Sequence, residues 1–291
     1  MTSAPSEITP LVAVILVAYG GRDYTLACLE SLRKSNYRNT RIILVDNDSP
    51  DDTSERVKEL FPEIEIIKSE KNLGFAGGNN LGINRALQMG VQYVMLLNND
   101  TEIDPDAIAK LVERAEKTDK PGAIGPMIYY HSEPDLIWSA GGMIDFRWSF
   151  LKHRGIREKD RGIREKDRGQ YSHSVEVDYL TGCAIMFPVN AISSTGALDE
   201  SYWMYYEDAD ICCRLKKVGY RIVFEPSSKV WHKISSSTGG NLSFRKMCFK
   251  YKSGLRFFRI HSPSGYWSIT YPISQFWMYL KALIRKSAIS V

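Results

Sequence analysis

The stretch VQYVMLLNND (residues 91–100) is an apolar run that stops abruptly on two amides and a carboxylate. Its first part suits a buried strand. Its end does not, because a carboxylate without a partner is costly in an interior. Either the strand surfaces into a turn at Asn98, Asn99 and Asp100, or Asp100 is held ready for a cation.

Neighbouring segments bear on that choice. LVAVILVAY (11–19) is a continuous, β-branched run of the buried-strand kind and ends on Tyr19. RIILVD (41–46) ends on Asp46, with Asn47 and Asp48 directly after it. Between these runs lie helical patterns: Leu26, Leu29 and Leu32 at spacing three, then DDTSERVKELF (51–61). IEIIKS (64–69) is a further strand, GGNNLGINRALQM (77–89) a further helix. Asp104 and Pro105 supply an N-cap and a first-turn proline for a helix to about residue 117. Strand–helix alternation of this kind predicts an α/β domain with a mostly parallel sheet. In such sheets ligands sit beyond the carboxyl ends of the strands. A turn accounts for any one polar strand end. Three on one edge favour a site.

The 291 residues suffice for one large core, or for a domain with an appendage. The net charge of +4 hides an asymmetry, because residues 227–291 contain eleven Lys or Arg and no Asp or Glu. The remainder therefore carries −7, and an acidic body with a basic tail predicts that the tail meets something anionic. The five cysteines include two adjacent ones and no CxxC pair, which points to a reducing, cytoplasmic compartment. The N-terminus has no secretory pattern, and Tyr266–Ile284 is too polar for a good spanning helix. Residues 244–260, FRKMCFKYKSGLRFFRI, join six basic to five aromatic side chains. Three occupants compete for them: a membrane surface, the protein's own sheet as a covering helical layer, and nucleic acid. The last lacks an accompanying motif, and the anionic membrane surface is preferred. We therefore expect a domain over residues 1–240 and a basic, helical extension over 241–291. RGIREKD occurs twice in succession, at 154–160 and 161–167, and predicts a flexible, expandable loop over about 152–172 without a catalytic role.

Three segments could carry chemistry. KNLGFAGGNNLG (71–82) places glycines and asparagines before a helix, where free amides attract anions. It matches neither GxxxxGK[ST] nor GxGxxG, and taken alone it slightly favours a tight turn with close helix packing. Beside two acidic strand ends, contact with a nucleotide or sugar phosphate becomes the better reading. Asp100 would then need Mg²⁺ or Mn²⁺ between itself and a diphosphate. The second segment is Glu207-Asp208-Ala209-Asp210, after the aromatic run Tyr202–Tyr206. Its acids suit the first turn of a helix, Asp210 in particular. Carboxylates beside large rings can also have the raised pKa of a general base, for which Asp208 is the candidate and Glu207 its rival. Third, His232 ends an apparent strand in SKVWHKISSST; alone, a histidine there is more often structural than a ligand.

Taken in order, VILVAYGGRDYTLACLESLRKSNY, IILVDNDSPDDT, NLGFAGGNNLGINRAL and YVMLLNNDTEID resemble family 2 glycosyltransferases of the GT-A fold. YLTGCAIMF, GALDESYWMYYEDADICCRLKKVGY and VWHKISSST resemble the rhamnosyltransferase-like subset. The resemblance covers roughly residues 11–240. It implies an inverting transfer of a sugar from a dTDP-, UDP- or GDP-linked donor to a glycan or lipid-linked saccharide. Ala18, Tyr19 and Asp46 would hold base and ribose. Asn72, Gly74, Phe75 and Asn79 would line the donor pocket, with Asn98 and Asn99 at the same edge. Asp100 takes the last position of the family's DxD metal motif, His232 a position that can complete the metal site, and Asp208 that of the catalytic base. Asn98 stands where the first acid of DxD belongs, which removes a charge from the metal site. The rival readings are a nucleotidyltransferase, which would want a basic loop where AYGGRD offers only Arg22, and a degenerate sugar-nucleotide-binding protein.

Overall fold

A computed structural model describes residues 9–155, 165–233 and 244–277, with side chains from residue 247 in the last stretch. The chain begins with β1 (Val12–Ala18), α1 (Arg22–Arg33), β2 (Thr40–Asp46), α2 (Thr53–Leu60), β3 (Glu65–Lys68), α3 (Gly74–Gln88) and β4 (Tyr93–Asn98). It continues through β5 (Thr101–Ile103), α4 (Ala107–Glu116), β6 (Pro121–Tyr130), β7 (Glu133–Ser139), β8 (Gly142–Asp145) and β9 (Phe150–His153). Then follow β10 (Val175–Glu176), β11 (Ala184–Pro188), α5 (Val189–Thr195), α6 (Glu207–Lys217), β12 (Arg221–His232) and α7 (Phe244–His261).

The strands form one twisted layer in the order β10-β12-β6-β11-β4-β1-β2-β3, with β5 on β12 and β7 on β6. β3, β2, β1 and β4 are mutually parallel, as the apolar runs and helical crossovers require. β12 runs parallel to β6, and β11 joins the two blocks by pairing antiparallel with β4 and β6. The register places Ala18 opposite Asp46 and Val17 opposite Asn98, so the three polar strand ends share one edge. β1 is buried on both faces except at Val17, and α3 lies directly on it. A Cβ at Gly82 would overlap the Ile15 side chain, and one at Gly78 would come within 2.8 Å of Val17 Cγ1. The helix therefore needs these glycines to approach the sheet.

Three local expectations require correction. α3 begins at Gly74, three residues early, because its glycines serve packing and do not break the helix. α4 begins at Ala107: Asp104 uses its carboxylate on the Asp106 amide (2.9 Å), and Pro105 precedes the first turn. Within the loop expected over 152–172, residues 156–164 lie outside the described ones, but both flanks are built into the fold. The Glu165 and Asp167 amides bond the Gly155 and Asp135 carbonyls, and Tyr129 Oη donates to the Asp167 carboxylate at 2.5 Å.

α7 is part of the same core. Phe257 and Phe258 are fully buried, and both face Phe146 and Tyr206 with ring centroids 5.4 to 6.4 Å apart. Arg256 Nη2 meets the Asp199 carboxylate at 2.7 Å. The covering-layer reading thus describes α7, against the preference for a membrane surface at residues 244–260. Phe257 and Phe258 point inward and Phe249 stacks on Trp203, because that face of α7 meets the aromatic run before α6.

Phe257→Ala should therefore lower unfolding free energy by about 3–5 kcal/mol, as loss of a buried aromatic ring does. Denaturant unfolding should show this as a single shifted transition. A change of about 0.5 kcal/mol, the scale of a surface substitution, would show that α7 is not integral to the core.

Candidate active site

Each polar strand end has its own local partners. Asp46 accepts hydrogen bonds from the Ser49 amide (2.9 Å) and from the Ser54 hydroxyl, so its carboxylate shapes the turn after β2. The Ala18 carbonyl receives the Asn47 amide at 2.8 Å, while Tyr19 stands exposed at the rim. Asn99 Nδ2 donates to Thr25 Oγ1 at 2.8 Å, and the Asn98 carbonyl accepts from Thr101 Oγ1 at 2.7 Å.

Asn47, to which the sequence assigned no role, organises the loop before α3. Its Oδ1 accepts the Leu73 amide (2.9 Å), and its Nδ2 reaches Gly74 O (3.0 Å) and Asn72 Oδ1 (3.2 Å). Asn72 Oδ1 also takes the Gly74 amide, and the Phe75 amide donates to Trp203 O, both at 2.8 Å. Asn79 is buried and turns back onto the Phe75 carbonyl. The Leu73, Gly74 and Phe75 amides are thus engaged within the protein and give the loop its shape. Gly74 has φ +72°, and a Cβ there would overlap the Trp203 backbone. Only glycine lets the loop meet the aromatic run so closely.

That run delivers the second half of the site. Tyr205 and Tyr206 both adopt left-handed φ values, +72° and +71°, a strain of about 1–3 kcal/mol each that the surrounding packing must hold. The bend presents Glu207 and Asp208 at the start of α6. Asp208 Oδ2 accepts the Gly182 amide (3.0 Å) and Oδ1 the Ala209 amide (2.8 Å). Gly182 packs against the Phe75 ring, so Asp208 stands beside the loop before α3. Burial raises the Asp208 pKa, while the two amides oppose the shift. Glu207 is more deeply buried, its Oε2 has no hydrogen-bond partner, and burial followed by the Asp208 charge pushes its pKa well up. Of the two, Asp208 is the oriented and accessible carboxylate.

Asp210 lies in the first turn of α6, as an acid that complements the helix dipole should, but it does more than that. It is buried, paired with Arg214 (Nε to Oδ2, 2.8 Å) and with His261 of α7 (Nε2 to Oδ1, 2.7 Å). α7 adds Ser253, whose hydroxyl donates to Met204 O (2.9 Å), and Phe249, stacked on Trp203 at 4.6 Å. Lys250 lies between them in sequence; burial lowers its pKa, and its charge helps burial depress His153 to about 4. His153 in turn packs 5.3 Å from Trp138, itself 4.8 Å from His232. Lys250, His153 and Trp138 escaped the sequence reading because no local pattern marks side chains that meet only across elements.

His232 pairs with Thr101 across β12 and β5, which brings its Nε2 to 3.1 Å from Asp100 Oδ1. Both side chains are buried, and His232 Nδ1 has no hydrogen-bond partner. Burial opposes a charge on His232, but Cys183 and the Asp100 carboxylate outweigh it and raise the pKa to about 10. Among the described residues no group of three or more His, Cys, Asp or Glu side chains could hold a metal. The adjoining Asp100 carboxylate and His232 Nε2 form an oxygen–nitrogen pair that suits a divalent cation whose remaining ligands are substrate oxygens and water, once the imidazole gives up its proton.

Comparisons with known proteins agree with this architecture. The glycosyl transferase family 2 model matches residues 13–185. The chain is 28% identical over 250 residues to N-acetylglucosaminyl-diphospho-decaprenol L-rhamnosyltransferase of Mycobacterium tuberculosis, covering 80% of this chain and 79% of that protein. It is 26% identical over 231 residues to poly-beta-1,6-N-acetyl-D-glucosamine synthase of Staphylococcus epidermidis, covering 79% of this chain and 51% of that one. GalNAc-T7, solved with UDP, GalNAc and Mn²⁺, superposes with a TM-score of 0.64 at 16% identity, over 87% of this chain and 48% of its own. The mannosyltransferase PcManGT from Pyrobaculum calidifontis, solved with GDP-Man and Mn²⁺, gives 0.59 at 14% identity, over 99% and 79%. At such identities the superpositions establish the fold alone.

The raised pKa of Glu207 has a measurable consequence. Above its ordinary value of 4.5 the unfolded chain releases this proton before the folded one does, so stability falls as pH rises toward the folded-state pKa. Glu207→Gln removes this loss. The variant should gain thermal stability over wild type at pH 8 and gain less at pH 5. An equal difference at both pH values would show that Glu207 ionises normally.

Proposed function

Because the chain belongs to glycosyl transferase family 2, we propose that this glycosyltransferase transfers a sugar from a nucleoside-diphosphate donor with inversion, using Asp208 as general base. The observation that supports this most directly is the fixing of Asp208 by the Gly182 and Ala209 amides, with Gly182 against Phe75 of the donor-side loop. Each carboxylate oxygen keeps a lone pair beyond its backbone bond, and the raised pKa makes it a stronger base than a solvated aspartate. An acceptor hydroxyl gives its proton to Asp208, and the oxygen attacks the anomeric carbon. The bond from that carbon to the diphosphate breaks, and its electron pair leaves on the diphosphate oxygen. One displacement inverts the anomeric centre, with no covalent sugar–protein intermediate.

The donor would lie along the polar strand ends, its base and ribose at Ala18, Tyr19 and Asp46 and its sugar toward Asn72, Gly74, Phe75 and Asn79. Asn98 and Asn99 border the same edge. Mg²⁺ or Mn²⁺, held by Asp100 and His232, would supply positive charge to the departing diphosphate. UDP, GDP and dTDP donors are all candidates. Rhamnose is the first sugar to test, as the Mycobacterium tuberculosis relative is named an L-rhamnosyltransferase. The same name supports a lipid-linked saccharide as acceptor, a glycan being the other candidate. Five free cysteines support a cytoplasmic location, peripheral at the membrane; among the described residues no helix is long and apolar enough to cross one.

Release of nucleoside diphosphate from candidate donors tests the reaction class, since a nucleotidyltransferase releases pyrophosphate instead. Asp208→Asn should lower kcat by about 10²–10⁴ and spare donor binding. A larger loss in Glu207→Gln would make that residue the base. In a separate measurement, Asp100→Ala should abolish the Mn²⁺-dependent part of donor affinity; retention of that part would remove Asp100 from the metal site.

A further inference from the structure

The segment after α7 is amphipathic in the inverse sense to a covering helix. Residues 267–277 are helical, with Tyr271 and Gln275 buried. Tyr266 (73% exposed), Ile269 (61%), Ile273 (45%), Phe276 (63%) and Trp277 (55%) face solvent. At 3.6 residues per turn these positions fall in a stripe about 100° wide. A helix that merely roofed a core would carry charged side chains there.

The stripe extends onto a second element. The turn between β8 and β9 holds Trp148, also more than half exposed. Ser149 and Thr270 share a hydroxyl hydrogen bond of 2.7 Å, and Ser274 Oγ donates to Ser149 O at 3.3 Å, which ties turn and helix together. Phe146, Arg147, Trp148, Pro263, Tyr266 and Ile269 line the groove between them. The Arg147 guanidinium lies 5.9 Å from the Trp148 ring centre, so a cation borders the apolar face.

We propose that this composite face docks onto an anionic lipid bilayer; the inference extends the reading of a lipid-linked acceptor above. The rings are those that settle at a headgroup boundary. The charge is complementary, since Arg147 is exposed beside the apolar face and residues 227–291 hold eleven basic and no acidic side chains, of which Lys250 is buried and Lys233 and Arg256 are paired with Glu102 and Asp199. α7 itself is not the docking surface, for Phe257 and Phe258 point inward and Phe249 stacks on Trp203. A rigid path joins the face to the site. Tyr271 Oη donates to the Lys250 and Tyr251 carbonyls (3.1 and 3.2 Å), and Ser253 of the same helix holds Met204. Docking here sets the active-site loop at a fixed height over the bilayer.

The test uses the full chain and vesicles of phosphatidylcholine, with or without phosphatidylglycerol, and no donor. Wild type should sediment with the phosphatidylglycerol vesicles, less so as salt is added. Ile269→Glu and Phe276→Glu should each lower the partition coefficient by about tenfold or more, as loss of one inserted apolar side chain implies. Leu60→Glu, on the exposed side of α2 at the far end of the sheet, should leave partition unchanged. Failure of wild type to sediment, or unchanged partition in both stripe variants, overturns the proposal. So does a dimer in sedimentation velocity that the same variants dissociate, because the face would then bind a second copy. Donor cleavage without vesicles is measured in parallel. Vesicle binding without donor cleavage would sink the catalytic reading and not this one; cleavage without vesicle binding would do the reverse.

Discussion

Asp210 is the buried charge around which the C-terminal half of this protein is arranged. Burial opposes its ionisation, yet His261 and Arg214 hold its carboxyl below the usual range. A buried anion is tolerable only while all its partners remain, and removal of one from such a group typically costs about 3–5 kcal/mol. The three partners are Arg214 one turn along α6, Tyr202 before the bend (3.4 Å) and His261 at the end of α7. One carboxylate thereby fixes the aromatic run, the start of α6 and the covering helix against each other. Asp208 lies two residues before it, so the proposed base inherits its orientation from a charge that never meets substrate.

The same constraint explains the strain at Tyr205 and Tyr206. Their left-handed conformations would relax in an isolated chain. Here Tyr206 is clamped between Phe257 and Phe258, and Met204 and Trp203 are held by Ser253 and Phe249. The bend carries Trp203 back to Gly74, where its carbonyl takes the Phe75 amide. The loop before α3 and the proposed base thus form one connected unit, although more than a hundred residues separate them in sequence. α7 completes that unit and adds Lys250, a buried amine whose charge acts on His153.

Much was legible in the residues themselves. β-branched apolar runs without polar alternation mark strands buried on both faces, so the parallel block and its polar edge followed from pattern alone. His232 at the end of β12 could be paired with Asp100 only through the family resemblance; the β12–β5 register gives that pairing its geometry. The glycines of α3 were readable as close packing or as an anion loop. Contact with Ile15 and Val17 shows that Gly78 and Gly82 serve packing, and no local signal carries that contact.

What the sequence determined by itself is the alternation of strand and helix, the edge where the polar ends gather, and the acid pairs able to do chemistry there. These rest on local periodicity and residue type, which each segment carries with it. Tertiary structure alone decided which side of the C-terminal aromatics is buried, which acid becomes a structural anion and which stays partly exposed. A basic, aromatic segment has the same composition whether it roofs a core or meets a surface. The outcome depends on the shape of the partner face: the aromatic run before α6 accepts Phe257 and Phe258, while past His261 the chain offers Ile269 and Phe276 to solvent. Likewise Asp208 and Asp210 are the same residue type two positions apart. Helical rotation turns one to the Gly182 and Ala209 amides and the other to Arg214 and His261, and only the packed neighbours make that difference chemical.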